Sequence, residues 1–243
     1  KNVGEDQNAL KRAQMIVNVL RDEPLVVPPA NVNLVVPPFS YERFDELQFR
    51  ETQACYYQER WGKKVDCSKV LLPPWQPGFG WGAIIPEWMK PQMAYDHFGK
   101  LYPMWKWWTD LNTAIVRNDR TPEDLGTYAI LTPAAMEATE YLGISGTAAR
   151  ELGIEIITVL ERMVVGDQVH WKTGQHLDRQ RYTICGGSAD KDGHFPFVDY
   201  GGTNVVVSYI GPHDALLHYS VRRVVSLAGA QQAPQVGPGV QDR

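Results

Sequence analysis

Cysteine is scarce in this 243-residue chain: Cys55, Cys67 and Cys185 are the whole complement. Three is too few for a disulfide framework, and odd in number. One reading bridges Cys55 to Cys67, closing a loop of about a dozen residues that would add roughly 3 kcal/mol in an oxidising compartment. Three unpaired thiols is the other. No Cys-x-x-Cys pair occurs, which argues against structural zinc and dithiol redox chemistry.

Long apolar runs are missing too. Stretches such as residues 156–160 fall far short of the roughly 18 residues that cross a bilayer as a helix, so no transmembrane span is expected. Charge of one sign is also lacking. The 24 Lys and Arg and 28 Asp and Glu are interspersed, and the net charge of -4 argues for neither nucleic acid nor an anionic membrane surface as a partner. The Gly-x-Ser-x-Gly elbow, the phosphate-cradling Gly-x-x-x-x-Gly-Lys loop, the dinucleotide fingerprint and His-Glu-x-x-His are all absent, and no cofactor is expected. The chain opens on Lys1 rather than Met, which reads as a processed or trimmed product. An exported, periplasmic or virion-associated location is favoured over the cytoplasm.

What is present is aromatic. Hydrophobic residues make up 44% and aromatic residues 11%, with 8 Trp, 11 Tyr and 7 Phe, enough to bury a core and to exclude a generally disordered chain. Apolar residues at three-to-four spacing predict a helix over residues 6–22, stopped by Pro24. Val26-Val27-Pro28-Pro29 is then repeated as Val35-Val36-Pro37-Pro38 and echoed by Leu71-Leu72-Pro73-Pro74. Paired prolines fix φ and lack N–H donors, so these segments read as extended arms.

Ser40 reads as the N-cap of a helix over 41–60, with Gly62 beyond its end. Residues 73–91, rich in Pro and Gly, read as a long ordered loop. Seven of the eight tryptophans fall between positions 61 and 108. Further helices are predicted from Pro103 to Arg117, from Thr121-Pro122, from Thr132-Pro133, and over 147–165, with Gly143 and Gly166 as stops. After Gly166 the pattern turns to alternation: 168–172, 179–185, 204–210 and 218–227 read as strands. The expectation is an α+β chain, helical over its N-terminal two-thirds with Pro-rich arms and a Trp/Gly/Pro-rich loop, then a small, mostly antiparallel sheet. Its parts would be a helix and arm (1–38), an aromatic helical region (39–166) forming one compact unit with a β-rich region (167–230), and a tail (231–243).

Candidate sites follow from residue type. Trp75, Trp81 and Trp88 either stack on a partner or sugar, or staple a loop-rich core. The proline arms, Val26 to Pro29 and Val35 to Pro38, suit docking in an apolar groove of another subunit, because an extended arm loses little entropy on binding. Glu87, Asp96 and Asp110 neighbour the aromatic region and are the carboxylates a glycosidase would need, paired roughly 5 to 9.5 Å apart. His170, His194 and His218 would form a metal site only if a sheet brought them together. Asp190-Lys191-Asp192-Gly193-His194 concentrates hard-metal ligands, but its Gly is misplaced and no Glu closes an EF-hand loop, so a strand-connecting turn explains it better. Together these favour a non-enzymatic structural component of a multisubunit assembly, such as a secretion apparatus or virion, whose partners are other protein subunits. The alternative is an exported hydrolase that binds a polysaccharide through its tryptophans.

Overall fold

The computed structural model describes residues 44–227. The arm prolines at 28, 29, 37 and 38, the helix expected over 6–22 and the tail from 231 lie outside them. Asp45 caps the first described helix, α1 (Glu46–Trp61), by accepting from the Gln48 N–H, and Gly62 closes it in the left-handed conformation at φ 62. The Gly62 stop was read correctly; Ser40, the expected cap, lies outside the described residues.

The helical N-terminal two-thirds is overturned, because four strands precede residue 133. The first, β1 (Trp81–Ile85), sits inside the segment read as a loop. Pro77 and Pro86 bound this apolar run instead of interrupting it, which leaves its N–H groups free to pair. It runs antiparallel to β4 (Tyr128–Thr132), and the C-terminal β10 (Val225–Ser226) pairs the other side of β4. Thr132 thus ends a strand rather than opening a helix, and its hydroxyl donates to the Arg223 carbonyl.

Between these strands lies α2 (Pro91–Phe98). Where one helix was expected from Pro103 to Arg117, the chain forms β2 (Met104–Lys106), a single turn α3 (Leu111–Ala114) and β3 (Ile115–Asn118). Bulky Trp residues in alternation favour a pleated strand over a helix here. Asp110 restarts the chain as the cap of α3. The start at Thr121 is correct: its side chain accepts from the Asp124 N–H to open α4 (Pro122–Leu125).

The helix expected over 147–165 is two helices. Ser145 caps α5 (Gly146–Glu151), and Gly153 at φ 71 breaks the run. Thr158 then opens α6 (Val159–Thr173), which passes through Gly166 and absorbs the strand expected over 168–172. The remaining strands are β5 (Tyr182–Ile184), β6 (Ser188–Asp190), β7 (Phe195–Tyr200), β8 (Val205–Ile210) and β9 (Tyr219–Val221). The larger sheet is mixed, in the order β2-β8-β7-β5-β9, with β2 parallel to β8 and β5 parallel to β9. β3 and β6 form a separate antiparallel pair. Strands from before and after residue 166 therefore pair with one another.

Helix α6 lies in the core, with Val159, Leu160, Met163, Val164, Val165 and Val169 all buried. Tyr56 and Tyr57 of α1, Ile85 of β1 and Phe98 of α2 belong to the same cluster. Among the described residues no helix is long and apolar enough to cross a membrane.

Candidate functional site

Strand β2 is an edge of the five-stranded sheet, and its flank carries the most exposed aromatic surface among the described residues. Trp105 and Trp107, two residues apart on an extended chain, project to the same side. They are 45% and 59% exposed, and their rings meet edge to face at 6.3 Å. Tyr209 of β8, 36% exposed, packs at 5.5 Å from Trp107 and 5.9 Å from the half-buried Trp108. The Trp107 N–H donates to the Val207 carbonyl, which continues the β2–β8 pairing and fixes the strip on the sheet.

His194 extends the strip, its ring 4.9 Å from that of Tyr209. It belongs to the Asp190–His194 turn between β6 and β7, where Asp190 Oδ1 accepts from the Asp192 and His194 N–H groups, and Gly193 takes φ 83. Asp190, Asp192 and His194 offer ligand atoms within 4.8 Å of one another. The hydrogen bonds of that trio are those of a tight turn.

Beneath the surface runs a network of buried charge. Asp178 accepts from Arg162 Nε at 2.9 Å, Arg222 Nη2 at 3.0 Å and the Thr183 hydroxyl. Its backbone sits at φ 56, a left-handed conformation that Asp tolerates better than most residues. Glu161 receives Arg120 Nε and Nη2 at 2.7 and 2.8 Å and the Tyr128 hydroxyl at 3.0 Å. Asp167 receives the Tyr56 hydroxyl at 2.7 Å and faces Arg60 Nη2 at 3.4 Å. Burial raises the Asp167 carboxyl, opposed by the Tyr56 hydrogen bond and the Arg60 charge.

Arg162, His176, Tyr102 and Asp199 line a cavity of about 10 Å³, room for about one water. Burial pushes Asp199 up to about 6, and its Oδ1 is buried without a hydrogen-bond partner. Burial and the neighbouring His170 push His176 down to about 4, and the His176 ring stacks between those of His170 and Tyr200, each 4.3 Å away.

The residues read from the sequence scatter across these surroundings. Trp75 is exposed, Trp81 is buried, and Trp88 is half-buried against Trp61, with the Lys63 ammonium 3.7 Å above its ring. Trp81 and Trp88 therefore serve the core more than the surface. Glu87 is exposed, Asp96 accepts from Gln92 within α2, and Asp110 caps α3. No hydrogen bond or ion pair among the described residues links any two of the three. His170 stacks on His176, His194 joins Asp190, and His218 packs on Tyr182 and Tyr219, so the trio does not converge. Cys55 is exposed, Cys67 and Cys185 are buried, and all three are free thiols, so the Cys55–Cys67 bridge is not formed. Burial pushes Cys67 up to about 11.

The exposed strip was missed, although Trp105-Lys106-Trp107 carries a signal for it: period-two alternation with large rings on one side. Asp178 had no local signal, since its partners Arg162 and Arg222 are remote in sequence. The chain matches no protein-family model, no curated protein and no solved structure.

Proposed function

We propose that this protein is a structural component of a larger protein assembly and that the aromatic strip Trp105, Trp107 and Tyr209 is a contact surface for a neighbouring subunit. A run of three exposed rings at a sheet edge, Trp105 on Trp107 and Trp107 on Tyr209, carries this reading. Large aromatics left exposed together mark binding surfaces, and Trp and Tyr dominate interface hot spots. Residues 24–38, with their paired prolines, would supply a second contact. The carboxylates near the tryptophans act as a helix cap, a partner within a helix and an exposed charge, which favours assembly over hydrolysis.

The test is native mass by light scattering for the full chain, the Trp105→Ala/Trp107→Ala variant and a chain lacking residues 24–38. A full-chain oligomer that weakens in both variants, with unchanged circular dichroism, supports the reading. A monomer of full chain would remove self-assembly and leave a heterologous subunit as the partner to seek by cross-linking. The strip also favours a second reading, because exposed Trp rings stack on sugar faces. Oligosaccharide binding that is lost on replacing Trp107, without any change of mass, would select that reading.

A further inference from the structure

Pro74, Trp75, Gln76 and Pro77 are all exposed, and the chain on either side of them is tied down. Before the segment, Arg50 Nη1 donates to the carbonyls of Cys67, Ser68 and Val70, and Pro73 is buried. After it, Phe79 is buried, its N–H donates to the Gln76 carbonyl, and the Ala134 N–H donates to the Gly78 carbonyl. The segment is therefore an arch held at both ends. Among the described residues nothing stacks on the Trp75 ring and nothing bonds its indole N–H.

Its backbone is extended by composition. Proline fixes φ near the polyproline value, and a residue before proline is kept out of the helical region. Pro73, Pro74, Gln76 and Pro77 each meet one of these conditions, which leaves Trp75 alone unrestricted. A polyproline helix makes one turn in three residues, so Pro74 and Pro77 share a face about 9 Å apart. Prolines at this spacing dock against aromatic rings, because the segment is ordered before it binds.

The same chain carries such rings. Trp105, Trp107 and Tyr209 follow one another in steps of 6.3 and 5.5 Å, a run of similar length. Trp107 stands steeply against both neighbours, at 68° and 69°, leaving a corner on either side of it for a proline ring. Area selects the occupant. So short a segment covers far less than the roughly 800 Å² per partner of a standard interface. A foreign peptide would make the contact once, whereas copies of this chain in a row each make it twice, by strip and by segment.

We infer that the aromatic strip receives Pro74 to Pro77 of a second copy of this chain, so that copies join head to tail. Such a contact pairs two different surfaces and propagates into a ring or an open row rather than closing as a twofold dimer. The inference rests on the assembly reading and names its partner.

The test uses two full-length variants, each lacking one half of the contact: Trp105→Ala/Trp107→Ala and Pro74→Ala/Trp75→Ala. Sedimentation velocity is followed from micromolar to near-millimolar concentration. The unsubstituted chain should grow beyond a dimer, and each variant alone should lose most of that growth. Mixed, the variants keep one intact strip and one intact segment, so the mixture should be heavier than either component. A mixture no heavier than its components overturns the inference. A segment variant that assembles like the unsubstituted chain also overturns it; where the strip variant has lost mass, the assembly reading stands with a different partner surface. An unsubstituted chain that stays a monomer overturns the second copy as occupant and leaves a heterologous subunit for the assembly reading. A photo-cross-linking amino acid at Gln76, in mixed ¹⁴N and ¹⁵N copies, covers the case of a variant that folds poorly. Cross-links between copies should map to Trp105, Trp107 or Tyr209, and cross-links only elsewhere overturn the inference.

Discussion

Asp178 and Asp199 are both buried and both feel Arg162, yet their protons are held in opposite ways. Burial alone would raise Asp178, but the Arg162 and Arg222 guanidiniums overcome it and hold the carboxyl below the usual range. A depressed carboxylate stabilises the fold above its unfolded pKa of about 3.9, and that stability is lost as pH falls through the folded value. Asp178→Asn should therefore cost about 3 kcal/mol or more at pH 7, since two buried guanidiniums lose their counter-ion. Urea unfolding should show the gap from the unsubstituted chain narrowing toward pH 3. Asp199, pushed up to about 6, behaves inversely. The folded chain holds its proton more tightly than the unfolded one, so this contribution to stability is full below about pH 4 and lost as pH rises through about 6. Asp199→Asn should be more stable than the unsubstituted chain by about 2–3 kcal/mol at pH 7 and close to it near pH 4. Equal urea midpoints at pH 7 would show that the carboxylate is solvated. Neither behaviour was legible in the sequence, because burial and remote arginines set it.

At the scale of elements, the readings that succeeded rest on local chemistry. Thr121 caps a helix where a hydroxyl precedes a turn of helix formers, and Gly62 ends α1 because it adopts positive φ at little cost. The failures share a cause, since strand pairing is non-local. Residues 103–117 contain no helix breaker after Pro103, but β2 finds β8 about a hundred residues later and the pairing outweighs propensity. In α6 the reverse happened. Residues 168–172 read as a strand, yet Val169 is buried in the core as part of the helix that continues from Val164 and Val165. Its start is fixed by a reciprocal cap: Thr158 Oγ1 accepts from the Glu161 N–H, and Glu161 Oε2 accepts from the Thr158 N–H. Thr158→Ala should cost about 1–2 kcal/mol in thermal or urea unfolding, while Thr158→Ser keeps most of it. A loss much below that would mean the Arg120 pair alone anchors the start of α6.

For the molecule as a whole, the composition foretold a core and the tryptophans foretold an aromatic centre, but not which rings would be spared from it. The core takes Tyr56, Tyr57 and Trp81, whereas Trp105 and Trp107 stay exposed on and just beyond the edge strand β2. Folding and association therefore draw on different aromatic residues, and substitutions should separate them. Trp105→Ala/Trp107→Ala removes surface that the fold hardly uses, so the unfolding midpoint should stay within about 0.5 kcal/mol of the unsubstituted chain while the native mass falls. Tyr56→Phe should do the converse. It deletes the hydroxyl that donates to the buried Asp167 at 2.7 Å, a charge-assisted bond whose loss should cost about 1.5–3 kcal/mol and leave the mass unchanged. Urea unfolding and light scattering on the same samples read both quantities. If both variants lowered stability together and neither changed the mass, the strip would be packing for the fold rather than a surface for a partner.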